Sequence, residues 1–241
     1  MKKNIYQLIL TGLCLCVCAV AHARQVTALS VERKLNQAIL VQQAKVQVSL
    51  DWEKEVHVRD VMLRPARAHA GDTVIRTEQE TTACQGVLLE GNMQVAIPAV
   101  CLRKPDFSLQ KVHLVFANNH TADTTRASVS IRGEVGYIHL PSRAPQGLRG
   151  LAVLTVQPGQ SLQETFGSEM TLTLHRFFTS FGIAFKNRVC HLGKTLQRSR
   201  LQPGEPVFFQ GRLVALLKQV PVRYGTAGGK VSERSLALFH S

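Results

Sequence analysis

No run of apolar residues in this chain reaches the roughly 20 that a membrane-spanning helix needs; the longest, Leu8 to Val20, falls short. Neither a His-x-x-x-His nor a Cys-x-x-Cys spacing occurs, so a metal site is not indicated. A G-x-S-x-G turn, a glycine-rich phosphate loop and a paired-carboxylate motif are also missing, and nothing calls for a cofactor. Internal repeats, low-complexity linkers and charge blocks are absent, and helical periodicity is confined to one short stretch. Acidic residues are scarce too: 16 against 29 lysines and arginines give a formal charge of +13.

What is present begins with an export signature. Residues 1–23 read as a secretory signal peptide, with Lys2 and Lys3 as the basic start, Leu8 to Val20 as the apolar core and Ala21-His22-Ala23 as the small-x-small cleavage site. An uncleaved anchor is the alternative, disfavoured by the short apolar run. Cys14, Cys16 and Cys18 follow Leu, Leu and Val, whereas a lipidation site wants a small residue there. The expected protein is therefore exported, periplasmic or secreted, and meets the membrane only through the signal peptide before cleavage.

Of the 6 cysteines, Cys84, Cys101 and Cys190 would remain, in a compartment that permits disulfides; one pair and one odd thiol is the simplest count. Loss of Lys2 and Lys3 leaves a formal charge of +11. Such a surface suits an acidic partner, or it is a basic solubilising surface with no dedicated ligand. Lysines and arginines are scattered and no Arg/aromatic stacking motif accompanies them, which argues against nucleic acid.

About 218 residues after cleavage suit one large all-β domain or two small ones. The expected organisation is a signal peptide at 1–23, an N-terminal extension with the first strands at 24–79, and a β-barrel domain at 80–241. Ser30 to Gln43 carries the helix pattern, with Ser30 as N-cap and Leu35, Ile39 and Leu40 on one face. From Lys45 onward apolar residues alternate, as in KVQVSL, VHVRDVML, VHLVF, LAVLTV and MTLTLHRFF, between turns rich in Gly, Pro, Asn and Asp. That spacing indicates an antiparallel barrel or sandwich. The single Trp52 is expected to pack the N-terminal segment onto it.

Two segments carry a resemblance. Leu201-Gln-Pro-Gly-Glu-Pro-Val-Phe-Phe-Gln-Gly-Arg-Leu-Val-Ala-Leu-Leu217 has a Gly/Pro turn, an apolar strand, a Gln210-Gly211 turn and a second apolar strand. Cys84-Gln-Gly-Val-Leu-Leu-Glu-Gly-Asn-Met-Gln-Val-Ala-Ile-Pro-Ala-Val-Cys101 has a strand, a turn and a strand between two cysteines. In this order they resemble the nucleophile and histidine segments of trypsin-like serine proteases, over about residues 80 to 217. The resemblance implies a double antiparallel β-barrel and a Cys84–Cys101 disulfide. It also places Val100 at the histidine position, Pro203 at the serine position and, through Glu134-Val-Gly-Tyr-Ile-His-Leu140, Glu134 at the acid position.

Proline has no hydroxyl to attack a carbonyl and no N–H to stabilise an oxyanion, and Leu201 and Gln202 replace the glycine and aspartate that the family places before its serine. The expectation is a degenerate member without catalytic residues, a pseudoprotease that binds a protein partner or an anionic surface. The rival expectation is a working serine-type hydrolase with a shifted register or another Ser/His pair, Ser199 being the serine nearest to Pro203. Cys190 is expected as a free thiol, and an intermolecular bridge is a further option. Adjacent strand residues face opposite ways, so a Cys190–His191 dyad is disfavoured.

Overall fold

The computed structural model describes residues 32–33, 35–59, 73–167, 170–176, 179–186, 189–191, 202–218, 230–232 and 235–241. The signal-peptide reading of 1–23, the Ser30 cap and Ser199 lie outside them.

Among the described residues a helix, α1 (35–44), leads into fourteen strands, all paired antiparallel, in two sheets of seven. The first sheet contains β1 (Lys45–Arg59), β2 (Thr73–Leu88), β3 (Gln94–Pro98), β4 (Ser108–Phe116), β5 (Thr121–Thr125), β6 (Val129–Arg132) and β7 (Val135–His139), in the order β5-β4-β1-β2-β3-β7-β6. Its curl brings Val129 and Ile131 of β6 to a groove shared with Trp52 of β1 and Leu109 of β4. After a five-residue helix α2 (Leu162–Phe166), capped by Ser161, come β8 (Met170–Arg176), β9 (Thr179–Lys186), β10 (Val189–His191), β11 (Pro206–Phe209), β12 (Arg212–Leu217), β13 (Lys230–Ser232) and β14 (Leu236–Leu238). They form the second sheet in the order β13-β10-β9-β8-β11-β12-β14. The chain is thus all-β, with two antiparallel barrel-like sheets and a helix at the front.

Alternation builds the first core. Val46, Val48, Leu50 and Trp52 of β1 are all buried and meet Val112 and Leu114 of β4 and Val95 and Ile97 of β3. Each such side chain contributes about 1.5–3 kcal/mol on leaving water, and a one-residue slip in register would expose the whole set. Trp52 is a core residue of this sheet, its indole N–H donating to Thr82 Oγ1 at 2.7 Å. The second core gathers Leu172 and Leu174 with Val207, Val214, Leu217 and Leu236. Between the sheets, residues 150–156 lie extended and bridge Leu89 to Leu151, Val153 to Leu213 and Val156 to His240.

The structure differs from the sequence reading at α1, and it adds two features. Residue 79 lies within β2, and β1 is an interior strand of the first sheet. The buried face of α1 is Ala38, Val41 and Ala44, while Leu35 and Ile39 are exposed; small side chains let the helix lie close to the sheet, which the larger ones would prevent. Finally, the β1–β2 hairpin outruns its sheet. β4 pairs with β1 only as far as Glu53, so Lys54–Arg59 and their partners from Thr73 to Glu78 form a two-stranded arm.

Candidate functional site

The Gln202–Glu205 turn sits between β2 and the end of β12. Gly204 has φ +95°, and a Cβ there would lie 1.6 Å from the Gln85 carbonyl oxygen, so only glycine allows this approach. The turn's hydrogen bonds all point inward. Gly204 N–H donates to Leu217 O at 2.7 Å and Glu205 N–H to Gln202 O at 3.2 Å, while the Pro203 carbonyl accepts from Gln85 N–H at 3.3 Å. Below the turn, the Glu205 carboxylate is buried and meets Lys45 Nζ of β1 at 2.9 Å.

Cys84, beside Gln85, forms a disulfide with Cys101. Cys101 lies in a 3-10 turn, Ala99–Leu102, whose Val100 is 49% exposed. The N–H of Ala99 donates to the Glu134 carbonyl at 2.8 Å. A short path of contacts therefore runs from Glu134 through Ala99–Cys101 and the disulfide to Gln85 and Pro203. It carries Val100, Glu134 and Pro203 around one bridge. The half-exposed Glu134 carboxylate is taken by Lys218 Nζ at 2.6 Å.

This arrangement can do little acyl-transfer chemistry. Its three positions hold no hydroxyl, thiol or imidazole, and the acid is paired with an ammonium instead of orienting a base. Pro203 lacks an N–H, and the next two N–H groups are spent on Leu217 and Gln202, so neither is aimed at a developing oxyanion; Leu201 lies outside the described residues.

Beside the turn lies a groove of about 500 Å³ between α1, β1, β2 and the β4–β5 turn. Gln43, Gln47, Gln85, Asn119 and Lys45 line it, with Ile39 and Val115 supplying apolar contact. Gln85 Nε2 is buried and donates to no protein acceptor. Because Lys45 is already paired with Glu205, the groove offers mainly neutral amides, each able to donate and accept.

Elsewhere, Ser130 Oγ lies 3.2 Å from His139 Nε2, whose Nδ1 is 3.2 Å from Gln94 Nε2. No group of three or more His, Cys, Asp or Glu side chains that would hold a metal occurs among the described residues. Cys190 lies on β10 opposite Val231 of β13 and Phe185 of β9; its thiol, and so the free-thiol expectation, falls outside what is described. Sequence reading missed Lys45, Lys218 and the inward commitment of the turn, for each depends on partners far away in the chain. The only local hint was Glu205, an acid set directly before the apolar run of β11.

No family model and no curated protein matches the chain. Among solved structures it is similar to Kallikrein-related peptidase 10, at 15% identity over 76% of this chain and 85% of that one, with a TM-score of 0.44. That peptidase in complex with Zn2+ gives 14% identity over 79% and 89%, with a TM-score of 0.42. An HtrA-type protease, AlgWS227A with decapeptide, gives 9% identity over 82% of this chain and 63% of that one, also with a TM-score of 0.42. Likenesses this distant carry no argument about activity or family, and the site is read from its own geometry.

Proposed function

We propose that the chain is an exported, catalytically inactive trypsin-like domain that works by binding a protein partner at the groove beside the Gln202–Glu205 turn. One observation carries this reading: the turn that the resemblance assigns to the nucleophile has no nucleophile, and the N–H groups of Gly204 and Glu205 are engaged within the fold. Losing serine or histidine from a working triad costs about 10⁶ in turnover, and the residual rate depends on an oxyanion hole that this turn does not offer. The Cys84–Cys101 disulfide and the 1–23 pattern support export.

The test is twofold. A fluorophosphonate probe should leave the folded protein unlabelled; stoichiometric labelling would sink the reading. A photo-crosslinking residue at Gln47 or Asn119 should capture a protein from the exported fraction, while one at the exposed Gln157, which does not line the groove, should not. Equal capture at all three, or adhesion only to anionic vesicles, would move the binding site elsewhere.

A second reading, a hydrolase with an unrecognised nucleophile, is favoured by the Ser130–His139 contact. Gln94 can orient the imidazole but carries no charge to stabilise its cation. If this pair acts, fluorophosphonate labelling maps to Ser130 and disappears in both Ser130→Ala and His139→Ala.

A further inference from the structure

Next to the amide-lined groove lies a smaller cavity of about 300 Å³, and Phe116 lines both. One wall is the segment after β7, where Leu140, Pro141, Ala144 and Pro145 supply apolar surface; Phe116 and Ala122, flanking the β4–β5 turn, form the other. Hydrogen bonds fix both walls. Asn92, at φ +58°, accepts from Ala144 N–H at 2.8 Å through its carbonyl and from Gly150 N–H at 2.9 Å through Oδ1, and its Nδ2 donates to Leu148 O at 3.2 Å. Opposite, Phe116 N–H donates to His120 O at 2.9 Å and Asn119 N–H to Phe116 O at 2.8 Å. The two prolines stiffen their segment further, since the ring of each locks φ.

Arg143 is the one permanently charged residue of the lining, with His120 as the other titratable group and no Asp or Glu. Among the described residues the Arg143 guanidinium has no acidic partner. At the low end of the range for ligand cavities, the volume suits one apolar side chain and not a long acyl chain. We infer that the cavity takes the C-terminal residue of the partner polypeptide, an apolar residue whose free carboxylate meets Arg143, while the residues before it run past Phe116 into the groove. This inference rests on the reading of that groove as a protein-binding site.

The chemistry selects a chain end. A C-terminal residue carries its side chain and its carboxylate on one Cα, so a cavity one residue wide holds both, and a guanidinium receives the carboxylate through paired N–H donors. An internal acid does not serve, because adjacent side chains of an extended chain point to opposite faces and the next on the same face is about 7 Å away. A free amino acid would bring an ammonium that no acid in the lining can receive. In a peptide that nitrogen is an amide, which the neutral side chains of Asn119, Gln47 and Gln43 suit.

The test titrates the full chain into short polyalanine peptides that carry an N-terminal fluorophore, read by fluorescence anisotropy. A peptide ending in phenylalanine with a free carboxylate should bind at least about ten-fold more tightly than the same peptide closed as a carboxamide. Arg143→Gln should erase that preference by weakening the free acid alone, and because Arg143 is exposed the variant should melt with the parent. Serine in place of the terminal phenylalanine should remove most of the binding. No binding of the free-acid peptide at about 1 mM protein, or equal binding of acid and carboxamide, would overturn the inference. So would equal binding of a peptide ending in Phe-Asp-carboxamide, whose only carboxylate is a side chain, or octanoate that competes as tightly as the peptide, which would make the cavity a site for small apolar acids. Photo-crosslinking at Gln47 and Asn119 separates the two readings. Protein capture there alongside failed peptides discards the C-terminal pocket alone, whereas failure of both discards the groove as well.

Discussion

Lys45, the first residue of β1, holds the Glu205 carboxylate at 2.9 Å across 160 residues of sequence. The acid is nearly inaccessible, with a side chain 6% exposed, and Lys45 is 18% exposed. This pair fastens the Gln202–Glu205 turn to the start of the first sheet. Removing one partner strands a buried charge, so Glu205→Gln should lower stability by about 3 kcal/mol, the lower end of the usual range because Lys45 keeps some contact with water. Lys45→Met should cost a similar amount. The double variant should recover much of either loss, since two apolar or neutral groups of similar size need no compensation. Denaturant melts of the four proteins form the cycle, and additive losses would show that the two residues are not coupled.

Gly204 gives a second prediction. Its left-handed φ of +95° and the 1.6 Å gap to the Gln85 carbonyl leave no room for a methyl group. Gly204→Ala should therefore unseat the turn from β2, with a loss of more than about 2 kcal/mol, as backbone strain and overpacking act together. Gly91→Ala is the comparison: it has a similar φ of +89° but open space around the would-be Cβ, so it should cost clearly less. Equal losses in the two variants would assign the effect at Gly204 to its φ alone.

Much of the fold was legible because it is written locally. Alternation from Lys45 onward gave the strands, and the Gly/Pro turn followed by two apolar runs gave β11 and β12. Gln210 and Gly211 both have positive φ, +48° and +81°, as a two-residue hairpin loop requires. What was illegible is non-local. The choice of Ala38–Val41–Ala44 over Leu35–Ile39 as the buried face of α1 depends on how closely the helix meets the sheet. The pairing of Glu134 with Lys218 joins positions 84 residues apart. The inward N–H groups of the turn are visible only once Leu217 lies beside Gly204. At the candidate site, the sequence showed which atoms are missing at Val100 and Pro203, and the structure added which remaining donors are already engaged.

The β4–β5 hairpin supplies a pH test. Lys111 Nζ donates to Asp123 Oδ2 at 2.6 Å and His113 Nδ1 lies 2.5 Å from Oδ1. These hydrogen bonds, that of Lys111 first, hold the Asp123 carboxyl below the usual carboxylate range and raise the Lys111 ammonium above its own. A depressed folded-state value means the carboxylate's contribution to stability is present above the unfolded value and fades as the pH falls through the folded one. The cluster lies in solvent, so the effect on stability is small. A carboxyl NMR titration of Asp123 should show a low midpoint that rises toward the ordinary range in Lys111→Met. A midpoint unchanged by that substitution would mean the ion pair does not persist in solution.

The last prediction concerns whether catalysis can be put back. Val100→His with Pro203→Ser supplies an imidazole and a hydroxyl at positions gathered around the Cys84–Cys101 bridge. Both positions are exposed, so the variant should fold with a melting temperature near that of the parent. Its activity on peptide esters should nonetheless remain close to background, for two structural reasons. Glu134 is tied to Lys218 at 2.6 Å and is not free to orient the new imidazole, and the Gly204 and Glu205 N–H groups donate to Leu217 and Gln202. Losing even one oxyanion donor costs about 10² to 10³ in turnover. Adding Lys218→Met should release the acid and yield a modest gain, while the unmade oxyanion hole keeps the rate low. A large rescue from the two substitutions alone would show that the turn rearranges to free its N–H groups, and the inactive reading would then rest only on the two missing side chains.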